Sequence, residues 1–203
     1  MNNDVRQYAP SAGRNRDPIW EVLRLHLPAL GLVLEVASGS GEHTVHFARA
    51  SGSKLVYQPS DPDPRARISI DAWAAASGLA NIRPAIALDA AADVWAIECV
   101  DVVVCINMIH ISPWASTVGL MRGAGRVLPS GGLLFLYGPY RHEGRHTAPS
   151  NEAFDQDLRR RNPEWGVRDL EGVADLANGS GFSPPAIVEM PANNLSVLFR
   201  RTE

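Results

Sequence analysis

The run Leu34-Glu35-Val36-Ala37-Ser38-Gly39-Ser40-Gly41-Glu42 carries the residue types of an anion-binding turn. An apolar strand ends there and a helix begins. The free N–H groups and dipole of that helix would face a negative ligand group. Gly39 and Gly41 permit the close backbone approach that such a ligand needs. Asp61 lies 20 residues beyond Gly41, after the next apolar run. An acid in that place accepts hydrogen bonds from a ribose diol. Thr44 occupies the third position of G-x-G-x-x-G, which counts against a dinucleotide fold.

A second pattern is His142-Glu143-x-x-His146, which matches H-E-x-x-H. On a helix that spacing puts two imidazoles on one face for zinc. Gly138-Pro139 before it, Gly144 inside it and Pro149 after it argue against a helix. The segment therefore reads as a polar lid whose Arg141, His142 and Arg145 could meet an anion, and no metal is expected. His43 and His46, three apart on a helix, lack an evident third ligand. Cys99 and Cys105 are too few for a disulfide framework and read as reduced core thiols.

The elements that position these residues follow from apolar periodicity. Residues 1–17 are polar and read as an N-terminal arm. A helix over 18–27 has Asp17 as N-cap and Pro18 at its first position. Strands are predicted over 32–36, 54–58, 82–88, 100–106 and 133–137. Helices over 42–50, 63–77 and 113–127 alternate with them, Gly78 stopping the second. A lid-like insertion over 138–163 holds a short helix at 151–161. A helix over 167–178 follows, then strands over 185–190 and 195–200 joined as a hairpin. This order predicts a seven-stranded, mostly parallel, Rossmann-like α/β sheet with helices on both faces and a C-terminal antiparallel hairpin. Ligands of such sheets sit beyond the carboxyl ends of the strands.

Composition fits one domain over 1–203. At 203 residues, 45% hydrophobic and 20% charged, the chain has enough apolar material for one sizeable core. A net charge of -3 argues against a basic nucleic-acid domain. The polar N-terminus has no apolar signal core, and the uncharged stretch 102–121 is broken by Asn107, His110 and Pro113. A cytoplasmic protein without nucleic-acid or membrane partners, monomeric or homodimeric, is expected.

The run Glu35-x-x-x-Gly39-x-Gly41 resembles the first motif of class I S-adenosylmethionine-dependent methyltransferases. Arg14-Asn15 near Pro18-Ile19, the run 34–43, and Asn107-Met108-Ile109-His110-Ile111-Ser112-Pro113-Trp114 resemble a methyltransferase-like family named as a domain of unknown function. The resemblance implies S-adenosylmethionine as cofactor, held by Glu35, Ala37, Gly39, Ser40 and Gly41 around its methionine part. It implies Asp61 on the ribose, Asp89 after Leu88 on the adenine amine, and Pro62 beside the adenine. Asn107 and Met108 would line the opening beside the transferable methyl.

Within that chemistry His110 is the best-placed base, because an imidazole titrates near neutrality. Arg14 and Asn15 would bind a small-molecule acceptor, and Trp114, Tyr137 and Tyr140 would wall its pocket. Two further readings share the glycine turn. One is a nicotinamide-dependent oxidoreductase, which leaves 107–114 unexplained. The other is a non-catalytic cofactor-binding module of the same fold.

Overall fold

The computed structural model of the chain describes residues 4–202. In chain order its strands are β1 (Gly31–Val36), β2 (Leu55–Ser60), β3 (Val102–Ile106), β4 (Leu133–Gly138), β5 (Tyr140–His142), β6 (Arg145–His146), β7 (Arg168–Asp169), β8 (Ala186–Met190) and β9 (Asn194–Arg200). Its helices are α1 (Pro10–Leu23), α2 (Glu42–Ser51), α3 (Pro64–Ser77), α4 (Trp114–Val127), α5 (Pro149–Arg161) and α6 (Leu170–Gly179). The principal sheet runs β2-β1-β3-β4-β9-β8, and a second small sheet runs β6-β5-β7. β1, β2, β3 and β4 are mutually parallel, and β9 is antiparallel to both β4 and β8. The closing hairpin thus contributes one antiparallel strand, as its short connection predicts.

β3 shows why the central strands form. Its sequence Val-Val-Val-Cys-Ile is β-branched and apolar throughout, as a parallel strand covered on both faces requires. Val103 and Cys105 point into one core, with Leu120 and Met121 of α4 and Val173 and Ala177 of α6. Val102, Val104 and Ile106 point into the other, with Ile19 and Leu23 of α1 and Phe47 of α2. The sheet therefore separates two helical layers, and each fully buried Val or Leu contributes about 1.5–3 kcal/mol. No helix among the described residues is long and apolar enough to cross a membrane.

Four expectations are corrected. First, the principal sheet has six strands instead of seven. Residues 82–88 meet β2 only through single parallel bridges, Tyr57 with Ile82 and Ser60 with Ile86. Pro84 between those bridges has no N–H to continue the ladder. Second, residues 10–17 are helical, with Pro10 in the first turn and Pro18 inside the helix. Tertiary contacts override the internal proline. Asn15 hydrogen-bonds His43 of α2 at 2.8 Å, Asp17 pairs with His46 at 3.1 Å instead of capping, and Ile19 and Leu23 are fully buried. Residues 1–3 of the expected arm lie outside the described residues.

Third, the insertion expected to hold only a short helix also carries a β-hairpin across the H-E-x-x-H segment, which is non-helical as its glycines and Pro149 imply. Glu143 and Gly144 form its turn with φ of 49° and 74°, the left-handed pair that a tight hairpin favours. Two of the three groups expected to meet an anion have internal partners, Arg141 with Asp169 at 2.7 Å and His142 with Glu171, whereas Arg145 is in none of the ion pairs among the described residues. Fourth, the helix expected over 167–178 starts at Leu170, because Arg168 and Asp169 extend the small sheet.

Capping at α3 follows its sequence: the Asp63 carboxylate accepts the Arg65 N–H, and Gly78 ends the helix at φ 68°. At the start of α2, Gly41 has φ 95°, and a Cβ there would lie 2.8 Å from the Ile70 Cα. Gly41→Ala combines left-handed strain with a backbone collision between α2 and α3. It is expected to destabilise the fold by roughly 2–4 kcal/mol in urea unfolding. A loss below about 1 kcal/mol would contradict this account of the turn.

Candidate functional site

After β1 the chain moves outward to β2 and the 82–88 edge, then returns to place β3 on the other side of β1. The strand order reverses there, and a crevice opens beyond the carboxyl ends. A cavity of about 230 Å³ occupies this position. Ala37 and Gly39 line it from the turn after β1, Asp61 and Pro62 from the end of β2, Leu88 and Asp89 from the edge segment, Ile106 from β3 and Met108 from the 3-10 turn that follows it.

The turn is built by alternating left-handed residues, Ala37, Gly39 and Gly41, with φ of 57°, 58° and 95°. Space around Gly39 is open: a Cβ there would meet nothing within 4 Å. Asp61 anchors the turn from β2. Its Oδ2 accepts the Gly39 N–H and its Oδ1 the Asp63 N–H, both at 3.0 Å. Burial raises its carboxyl above the ordinary range, and those two N–H groups oppose the rise. Each carboxylate oxygen keeps a lone-pair site beyond those bonds. Asp89 is exposed at the cavity edge, with Oδ1 accepting the Ala91 N–H at 2.9 Å.

Three turn residues named from sequence lie behind this surface. Glu35 is buried and lines no cavity among those described; it accepts the Thr44 hydroxyl, and its carbonyl accepts those of Ser38 and Ser60. Burial pushes its carboxyl up to about 7, despite the hydroxyl bonds and with Asp61 adding to the rise. Ser40 donates to Glu42 at 3.0 Å, and its carbonyl accepts the Ser69 hydroxyl at 2.8 Å. Gly41 packs on α3. These residues shape the turn from beneath.

A second cleft of about 780 Å³ adjoins the first, and Ile111 lines both. Arg14 and Asn15 of α1, Asn107, Tyr137 of β4, Asn151 and Phe154 of α5, and Asn194 of β9 face it. Ser11, Arg14, Asn15 and Pro18 line it together because spacings of three and four repeat along one helix face. Sequence reasoning missed Ile111, Asn151, Phe154 and Asn194. Asn194 falls in the connection of the predicted hairpin, and Asn151 and Phe154 in the predicted short helix over 151–161, with no spacing that marked them as site residues.

Trp114, Tyr140 and His110 line neither cavity. Trp114 lies under the Arg168 guanidinium at 5.6 Å. Tyr140 is buried, edge-on to His110 at 5.2 Å. His110 has no exposed surface, and neither ring nitrogen has a partner among the described residues. It lies beneath Gly138, where a Cβ would come within 2.5 Å of its Nε2. Burial first, then the Arg168 charge, depress the imidazole to about 3, so it is neutral at physiological pH. The pocket walls expected from Trp114 and Tyr140, and the cleft-facing base expected from His110, are therefore not found in these positions.

The wall between the cavities is braced from outside. Arg168 donates to the Ile109 carbonyl at 2.9 Å and the Ser112 carbonyl at 2.7 Å. Gly166 N–H donates to the His110 carbonyl at 2.9 Å. The bracing segment is tied to α5 by the Val167 N–H, which the Asp155 carboxylate accepts at 2.7 Å.

Comparison with known proteins adds the family and the fold. A family model described as "Protein of unknown function (DUF938)" matches residues 6–201. Among solved structures, the S-adenosylmethionine-dependent methyltransferase SibL in its apo form is 19% identical with a TM-score of 0.79, covering 95% of this chain and 56% of that one. Human N-acetylserotonin methyltransferase in complex with SAM is 14% identical with a TM-score of 0.79, covering 95% and 53%. YcgJ from Bacillus subtilis is 14% identical with a TM-score of 0.71, covering 92% and 99%. The chain spans little more than half the length of the first two. The shared feature is the class I methyltransferase fold.

Proposed function

This chain belongs to the DUF938 family of proteins of unknown function, and we propose that it transfers a methyl group from S-adenosylmethionine to a small-molecule acceptor. The observation that carries the reading is the pairing of two adjoining cavities across Ile111, one at the strand switch point and one under α1. Methyl transfer needs such a pairing: a site for the cofactor beside a site for the acceptor.

The residues of the first cavity fit an S-adenosyl group. Open space over Gly39 and the N-terminus of α2 suit the methionine carboxylate. Asp61 has carboxylate lone pairs for the ribose hydroxyls. Asp89 suits the adenine amine, with Pro62, Leu88 and Met108 as apolar flanks. When bound, the cofactor supplies an electrophilic methyl on a sulfonium.

The protein's contribution is approach and orientation. Among the described residues lining the second cleft, the ionisable side chains are Arg14 and Tyr137, and burial raises the Tyr137 phenol. Neither is a carboxylate or imidazole able to take an acceptor's proton at neutral pH. We therefore read His110 as a support beneath the wall rather than as a base. Residues 1–203 are read as one methyltransferase-like unit, with 138–163 covering the acceptor cleft.

Incubation with S-adenosylmethionine labelled on the methyl carbon and a small-metabolite extract tests this. Protein-dependent label in a small-molecule product is expected, at a rate that falls when Asp61 is replaced. Label that never leaves the cofactor across such extracts would favour a non-catalytic module.

A further inference from the structure

Charge in the second cleft is one-sided. Among the described residues Arg14 is the one charged side chain lining it, and no carboxylate does. Arg14 takes part in none of the ion pairs among the described residues, whereas Arg141, Arg159 and Arg160 each hold an acid. A guanidinium on the wall of a concave site, without an internal acid, is matched by a planar anion that two parallel N–H groups can grip.

The carboxamides extend the asymmetry. His43, neutral because burial depresses its imidazole to about 4, donates to the Asn15 Oδ1 at 2.8 Å. That turns the Asn15 NH₂ to donation: one N–H is directed at the Tyr137 oxygen, and the second remains beside Arg14. The Asn107 side chain has no hydrogen-bond partner among the described residues and keeps its NH₂ as well. Two other lining amides are spent the other way. Asn151 donates to Thr147 Oγ1 and the Asn193 carbonyl, at 3.0 and 2.9 Å. Asn194 donates to the Pro191 and Ala192 carbonyls, at 3.1 and 3.2 Å. Each then has Oδ1 as its remaining hydrogen-bonding capacity, an acceptor. The lining thus combines a cation and amide donors at Arg14, Asn15 and Asn107, carboxamides at Asn151 and Asn194 whose N–H groups are already used, and apolar surface from Ile111 and Phe154.

We propose that the cleft binds a small carboxylic acid carrying a hydroxyl or amine, its carboxylate held by Arg14 with the Asn15 amide and its donor group by Asn151 and Asn194. Naming that molecule as the methyl acceptor rests on the methyl-transfer reading; the anion site itself does not.

Matched probes test it. Titrate the full chain, with and without S-adenosylhomocysteine, against para-hydroxybenzoate and para-hydroxyphenylacetate and against their neutral amides. At least one acid should bind tenfold or more tighter than its amide. Arg14→Gln should abolish that preference while keeping the wild-type circular dichroism and melting temperature, and Arg14→Lys should retain part of it. Equal affinities for acid and amide, no binding of either acid, or an unchanged preference in Arg14→Gln would overturn the proposal. Displacement of the acids by inorganic phosphate at equal affinity would overturn the carboxylate assignment. If the acids bind through Arg14 while S-adenosylhomocysteine does not bind at all, the cofactor reading falls and the anion site stands.

Discussion

Asp61→Ala is expected to weaken S-adenosylhomocysteine binding roughly a hundredfold or more. A carboxylate that accepts two ribose hydroxyls supplies two charge-assisted hydrogen bonds of about 1.5–3 kcal/mol each, and about 1.4 kcal/mol is a factor of ten. The same side chain holds the Gly39 and Asp63 N–H groups at 3.0 Å, so its removal also loosens the turn. A stability loss of about 1–3 kcal/mol should accompany the loss of affinity, because two amides lose their acceptor. Asp61→Asn keeps the shape and should fall between wild type and alanine in affinity. Burial raises the Asp61 carboxyl, so wild-type affinity should weaken in acid as that group takes up a proton. Calorimetry on each variant, paired with its thermal melt, separates the two effects. Affinity within threefold of wild type in a folded Asp61→Ala protein would remove Asp61 from the site.

The second large effect concerns Glu35 and is read as stability against pH. Its carboxyl lies at about 7 in the folded protein against an ordinary value of 4.5, with burial as the main cause. Between those values the folded state holds a proton that the unfolded state releases. Stability from this group is therefore lost as pH rises from 4.5 to 7, by about 3 kcal/mol in all. His43 and His110 act oppositely. Their folded values, about 4 and about 3, lie below 6.5, so the unfolded chain takes up protons first and stability falls in acid. The difference between Glu35→Gln and wild type isolates Glu35 from them. Glu35→Gln should be about 1–2 kcal/mol more stable above neutrality, part of the gain being offset by a new amide that needs an acceptor. The advantage should vanish near the ordinary carboxylate range. Urea unfolding across pH checks this, and identical pH slopes in the two proteins would refute it.

Both residues were legible in the sequence because their signals are local. An apolar run ending in Gly-x-Gly and an acid after the next run are set by strand, turn and helix chemistry within about 30 residues. Asp63 and Gly78 framed α3 for the same reason. Legibility failed where distant segments decide. Pro18 reads as a helix start, yet His43, His46 and the core hold a helix through it. Pro84 interrupts a strand whose apolar pattern is otherwise sound.

The lining of the second cleft draws Arg14, Asn107, Asn151 and Asn194 from four separate places in the chain, and no spacing rule joins them. His110 shows the limit of position along a strand. Its position just past β3 places it near the carboxyl ends, but Asn107 at φ 60° and the 3-10 turn Met108–His110 end with the imidazole enclosed. Position along a strand indicates the end of the sheet, whereas the local turn sets which way each side chain faces.

The most direct test of the central claim is calorimetric titration of the purified chain with S-adenosylhomocysteine, run beside NADH. The two-cavity account predicts one-to-one, micromolar binding of S-adenosylhomocysteine and no saturable heat from NADH. A well-folded protein that gives no heat with S-adenosylhomocysteine, or that binds NADH more tightly, would contradict it.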